Sequence, residues 1–332
     1  MSENVAEFMQ KPVKRFPCGF ASKKAKKSLI RAFTASSQQN AAQEKEQFEK
    51  IIGSVMQTKE GRNTMKTLSK LGYSFAFEKG DFGGFCNPSN KKIVINPSFG
   101  FEYMTQTAVH EGRHAIQFSL EDPNAPLSEE TNVASYLMKN RAIEADAVAH
   151  EMAFVYECKV ALPSVYREAE KQDLPMFRAY VGEMEKSGDQ KKAMQACFAA
   201  WYECDYYRNY YDEWHKNDLQ MFSDWGKKEK HPDCFKNEYS AEDVLKMCVY
   251  KGKPYMTAES LKTGKAFSIT QKDKRDILNM TKSYAQAVRG ATEDKSVLQM
   301  RERTPSGELL PVQKDAAKTA ALVSSVLNRK GR

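Results

Sequence analysis

Apolar positions along the chain change period twice, and the changes mark out its elements. Over 41–56, Phe48, Ile51, Ile52 and Val55 recur at helical spacing, and Met65, Leu68 and Leu71 repeat the pattern before Gly72; two short helices are predicted. From Tyr73 the period drops to two. Tyr73, Phe75 and Phe77 alternate with Ser74, Ala76 and Glu78, the turn-rich stretch 79–84 follows, and then come Phe85-Cys86 and Lys92-Ile-Val-Ile-Asn96. This predicts a small antiparallel sheet of two or three strands, with Ile93 to Asn96 as its edge. Pro97 and Gly100 close the sheet. Helical text resumes over about 102–119 and, after the breaker-rich 121–126, over about 128–160 with no Pro or Gly inside.

Beyond Pro163 the helical period continues through about 170 and from 176 to 184, and Gly188-Asp189 marks a turn. The stretch 191–215 then concentrates Phe198, Trp201, Tyr202, Tyr206, Tyr207, Tyr210, Tyr211 and Trp214. At helical spacing such a stripe reads first as core. Helices over about 240–249 and 272–288 and a charged tail complete the chain. At the other end, residues 1–40 carry Ser22-Lys-Lys-Ala-Lys-Lys27 with Pro12 and Pro17, which reads as a basic flexible arm. The expected organisation is an arm at 1–40, a main domain at 41–225 and a helical C-terminal appendage at 226–332. The fold class is α+β and mostly helical, with the small sheet ahead of the 102–119 helix.

Composition narrows the function only a little. A chain of 332 residues with 41% hydrophobic content builds a real core. The net charge of +8 is too dilute to imply nucleic acid, and none is expected; an acidic partner for the basic arm is compatible with it. Seven cysteines form an odd set without a C-x-x-C pair, which favours a reducing compartment over a disulfide framework. With no run long enough to span a bilayer and no signal-peptide pattern, a cytoplasmic location is expected, non-classical export being the other route open to it.

The chemistry concentrates at Thr107-Ala-Val-His110-Glu111-Gly-Arg-His114-Ala-Ile-Gln117. On a helix, His110 and His114 lie one turn apart on one face and reach a single ion, while Glu111 stands beside it as a general base acting on water. A catalytic zinc site has three protein ligands. The extended metzincin pattern needs Gly at 117 and His at 120, where this chain has Gln117 and Leu120. The third ligand is therefore expected from a carboxylate on the next helix, in Arg141-Ala-Ile-Glu144-Ala-Asp146-Ala147. Glu144 is the first choice, because Ala142, Ala145 and Ala147 allow close approach and Asp146 points roughly 200° away around a helix of about 3.6 residues per turn. Asp146 takes the role if Glu144 turns outward. Asp146 or Glu151 is expected to orient a ligand imidazole. Arg113 and Arg141 are expected to balance charge and fix packing, rather than to bind a substrate carboxylate. Tyr207, Tyr210, Tyr211 and His215 are candidate donors to a developing oxyanion. His231-Pro-Asp-Cys234 has no second ligand pair and reads as a surface loop.

These residues resemble a poorly characterised group of bacterial metallopeptidase domains of the gluzincin type among the zincins. The resemblance takes in Gly61-Arg62, Gly83-Gly84, Ile93-Val-Ile-Asn-Pro97, the His110–Gln117 motif and the Arg141–Ala147 segment, and so covers about 58–151. It implies a zincin-like fold and one zinc ion per chain held by His110, His114 and a downstream acidic residue, with Glu111 as base; the function expected of such a site is peptide-bond hydrolysis, with a peptide or protein as substrate. It also implies a Tyr-Asp pair, here Tyr211-Asp212, with Tyr211 as the catalytic donor. The best-understood gluzincins have an Asp four residues after the ligand Glu, where this chain has Val148. Two alternatives stand beside this expectation: a non-enzymatic helical scaffold whose histidines are structural, and a zinc amidase acting on a non-protein substrate.

Overall fold

A computed structural model describes residues 20–172, 174–262, 268–290, 295–303 and 309–311. Residues 1–19 of the expected arm, Cys18 among them, lie outside the described residues, as do residues 291–294, 304–308 and 312–332 of the charged tail. Within the arm stretch the lysine cluster sits on helix α1 (Phe20–Arg31), whose Ala25 and Leu29 are buried. Helices α2 (Ala41–Val55) and α3 (Lys59–Leu71) follow. The Thr58 hydroxyl accepts from the Gly61 amide at the start of α3, and Gly72 ends it at φ 78°, a left-handed conformation that glycine takes without a Cβ penalty.

Three strands come next: β1 (Ser74–Phe77), β2 (Gly84–Asn87) and β3 (Lys92–Ile95). The sheet is mixed rather than antiparallel. β3 lies in the middle, parallel to β1 and antiparallel to β2. The expected edge at 93–96 is thus the central strand, and the reason is burial: Ile93, Val94 and Ile95 are all buried, the continuous apolar run of a strand covered on both faces. The outer side of β1 meets Thr34, so β2 carries the free edge among the described residues.

The centre of the molecule is the pair α4 (Phe101–Leu120) and α5 (Val133–Ala161). Apolar side chains surround α5 on all sides, and it is buried along most of its 29 residues. Helices α6 (Pro163–Gln172), α7 (Pro175–Ser187) and α8 (Gln190–Glu203) pack around it. The aromatic stretch divides at Cys204 into α8 and the 25-residue α9 (Asp205–Glu229). Next come α10 (Ala241–Met247), the ribbon of β4 (Val249–Tyr250) and β5 (Lys253–Pro254), and α11 (Ala258–Lys262). β6 (Ser268–Thr270), α12 (Gln271–Arg289), β7 (Arg301–Arg303) and β8 (Leu309–Pro311) complete the described chain. The main core runs from Leu29 to Leu261 and includes Tyr239, Val244, Met247 and Tyr255 beside α4 and α5 residues, so it continues past 226, where the appendage is expected to begin. A second core gathers Tyr136, Leu137, Leu219, Ile277 and Tyr284 where α5, α9 and α12 meet. The six described cysteines are free, and no helix among the described residues is long and apolar enough to cross a membrane.

Candidate metal centre

Helix α4 places His110 and His114 one turn apart, and α5 brings Glu144 against them. One ligand atom from each of the three lies within 4.8 Å of the others. The two imidazole Nε2 atoms are 3.2 Å apart, and Glu144 Oε2 and Oε1 lie 3.5 Å from His110 Nε2 and 3.4 Å from His114 Nε2.

What faces away from this point fixes what faces toward it. His110 Nδ1 lies 3.0 Å from Glu151 Oε2, and His114 Nδ1 lies 2.8 Å from Gln117 Oε1. Each Nδ1 donates to its acceptor, which leaves both Nε2 lone pairs and a carboxylate aimed at one place. Glu144 Oε2 is buried and has no hydrogen-bond partner. Such a concentration of acceptors calls for a cation, and two imidazoles with one carboxylate are a donor set that fits a divalent transition metal. The electrostatics agree. Burial opposes charge on both imidazoles, yet the adjoining Glu144 carboxylate, with further carboxylates nearby, raises His110 well above and His114 above the ordinary histidine value. Burial likewise opposes ionisation of Glu144, but the two histidines hold it far below the usual carboxylate range.

Glu111 lines the same cleft without joining the cluster. Burial pushes its pKa above the ordinary carboxylate value, and the two histidines pull it only partly back. The strand β2 lies directly against it. A Cβ on Gly84 would meet Thr107 Cγ2 at 2.5 Å, Val94 O at 2.8 Å and Glu111 Cγ at 3.2 Å, so only glycine lets the free-edge strand run this close to Glu111.

Asp146 is turned away from the cluster. Fully buried, it accepts from Arg113 Nε at 2.6 Å, Gln117 Nε2 at 2.6 Å and the Tyr255 hydroxyl at 2.8 Å. It therefore reaches His114 through Gln117, while Glu151 reaches His110 directly. Arg113 also donates to the Met247 and Val249 carbonyls, and Arg141 makes a two-point pair with Asp212, 2.8 Å on each arm. Both arginines are thus engaged in helix packing. Tyr207, Tyr210, Tyr211 and His215 all line the cleft, which has a volume of about 800 Å³. Burial, with the Glu144 and Glu111 carboxylates beside it, raises the Tyr211 phenol well above its ordinary pKa, so the hydroxyl keeps its proton. His215 Nε2 is buried without a partner, and burial lowers the pKa of its ring. His231 lies apart, its ring against Trp225. Among the described residues the His110–His114–Glu144 group is the one metal-type cluster. Gln117 and Tyr255 carry no sequence signal of their own. Gln117 is visible only as a polar residue on the buried face of α4, three residues after His114.

The fold and the cluster define a class: a mostly helical α+β protein with a metal-type donor set at the floor of an open cleft. Residues 24–247 match the family described as "Putative metallopeptidase family (DUF6782)", and the chain belongs to that family. Membership carries the coarse reading of a metal-dependent peptidase, a hydrolase of peptide or protein chains. No curated protein and no solved structure gives a significant match.

Proposed function

We propose that the protein is a zinc peptidase of the gluzincin type, in which His110, His114 and Glu144 hold one zinc ion and Glu111 is the general base. The observation that carries this reading is the convergence of three acceptor groups from α4 and α5 on one point, with Glu144 Oε2 buried and unpartnered. Zinc supplies Lewis acidity there, toward water and toward a peptide carbonyl. Glu111 accepts a proton from the attacking water and passes it to the leaving amine. Tyr211, its proton held by burial, donates to the carbonyl oxygen as charge develops. The free edge of β2 is placed to pair with the substrate backbone and hold it extended beside Glu111.

The test combines metal content and turnover. Glu111→Gln is expected to retain about one zinc per chain while losing nearly all hydrolysis, since the base is not a ligand. Glu144→Ala is expected to lose the metal. Unchanged turnover in Glu111→Gln, or a wild-type chain that neither carries zinc nor gains thermal stability from it, refutes the proposal. Activity confined to non-peptide amides assigns the same site to an amidase.

A further inference from the structure

The chain carries a formal net charge of +8, yet the described residues lining the cleft include no lysine and no arginine. Four of them are carboxylates: Glu111, Glu144, Glu151 and Asp218. A divalent ion offsets two of those four charges, so the cleft stays anionic on a cationic protein. Beside the carboxylates, α9 presents an aromatic face. Tyr206, Tyr210 and Trp214, spaced by four residues, line the cleft while being 77%, 49% and 53% exposed. The Tyr210 and Trp214 rings lie 6.3 Å apart, and Tyr207 and Tyr211 stack beneath at 6.5 Å. A contiguous aromatic surface left in water at the mouth of a cleft marks a binding face.

Two chemical consequences follow. A peptidase that trims from the carboxyl end must neutralise a terminal carboxylate, which takes an arginine or lysine in the cleft; among the described residues none is there. An acidic segment meets the same lack and is repelled by the carboxylates. Conversely, tyrosine and tryptophan faces attract ammonium and guanidinium groups, by about 0.5–1 kcal/mol at exposed sites and about 2 where water is excluded, and the anionic lining adds to that attraction.

Resting on the peptidase reading above, we propose that the site is endopeptidic and takes the interior of extended, basic polypeptide segments, seating a lysine or arginine side chain against Tyr206, Tyr210 and Trp214. The reaction is ordinary hydrolysis. The amide C–N bond breaks, the oxygen of water ends on the new carboxylate and its two protons end on the new ammonium group.

The experiment uses the zinc-loaded full chain and a set of peptides that differ only in Lys, Leu or Glu flanking a common core, each made both with free termini and acetylated at the N-terminus and amidated at the C-terminus. Internal cleavage is expected, with kcat/KM at least tenfold higher for the Lys peptides than for the Glu peptides and highest for Lys overall. Trp214→Ala combined with Tyr210→Ala is expected to raise KM for Lys peptides more than for Leu peptides. A requirement for a free terminal carboxylate or a free terminal amine, a preference for Glu, or a Leu preference indifferent to charge overturns the proposal while leaving the peptidase reading intact. If no peptide is cut, whether its termini are free or blocked, the peptidase reading fails, and binding decides the rest. Tighter binding of Lys than Glu peptides to Glu111→Gln, read by tryptophan fluorescence, supports the cleft's selectivity for basic segments; equal or absent binding overturns it.

Discussion

Gln117 settles how His114 presents itself. Both amide hydrogens are spent, one on the Ile143 carbonyl at 2.8 Å and one on Asp146 Oδ2 at 2.6 Å, so the amide oxygen must face His114 Nδ1 and fix the proton there. Gln117→Leu frees the ring to turn or change tautomer, and is expected to weaken metal binding by roughly 10- to 100-fold, measured by competition with a chelator of known affinity. Gln117→Glu should do no better, because it sets a second carboxylate against Asp146. The sequence makes the histidines and Glu111 legible, since a four-residue spacing on a helix has one geometric meaning, and the alanines around Glu144 mark the side on which α5 approaches. Gln117 figures there only as the residue that breaks a metzincin extension. Its function depends on a carbonyl and a carboxylate from a different helix, and no spacing along the chain reports those. Asp146 shows the converse. Its direction, about 200° from Glu144, follows from helical geometry, but its three donors come from Arg113, Gln117 and Tyr255, the last of them 109 residues away.

Among the elements, α3, α5 and β4 are tied by a second buried polar group. His150 on α5 pairs through Nδ1 with Glu60 Oε1 on α3 at 2.6 Å and meets the Val249 carbonyl through Nε2 at 3.1 Å. Burial alone would raise the Glu60 pKa, but the hydrogen bond and charge of His150, with Arg113 beyond, outweigh it and bring the value below the ordinary 4.5. A carboxylate with a depressed folded pKa contributes stability that is complete above its unfolded value and disappears as pH falls through the folded one. Glu60→Gln is therefore expected to flatten the acid limb of the stability curve below about pH 4.5, seen in urea unfolding midpoints between pH 6 and 3. An unaltered acid limb would show that the pair is not coupled to folding. Most helices here are legible from period and punctuation: α2 and α3 lie within a few residues of their predicted bounds, and α4 spans 101–120 against an expected 102–119. Strand order is not legible in the same way. Alternation in Tyr73–Glu78 says which side chains share a face, but it carries no information about neighbour or direction, so the parallel β1–β3 pairing is invisible in it. The unbroken Ile93-Val94-Ile95 run is the one sign that β3 is central.

At the scale of the molecule, the segment after residue 226 closes the site from behind. Met247 and Val249 offer their carbonyls to Arg113, Tyr255 donates to Asp146, and Tyr239, Val244, Met247, Cys248, Tyr255 and Leu261 are buried in the core that contains α4 and α5. A chain ended at residue 225 would leave Arg113 and Asp146 short of partners, at about 1–3 kcal/mol for each unsatisfied buried group. It would also remove six buried side chains that contribute roughly 1.5–3 kcal/mol apiece. Those losses are as large as or larger than the roughly 5–15 kcal/mol by which a domain is stable. The 20–225 fragment is therefore expected to show no cooperative thermal transition and no chelator-resistant metal. A 20–262 fragment keeps every one of these contacts and loses mainly the second core around Ile277 and Tyr284; it is expected to melt cooperatively at a lower temperature and still bind the metal. Circular dichroism melts with and without zinc separate the two fragments. A 20–225 chain that folds and binds zinc tightly would mean that the network behind His114 is dispensable, and that α4 and α5 alone hold the ligands in place.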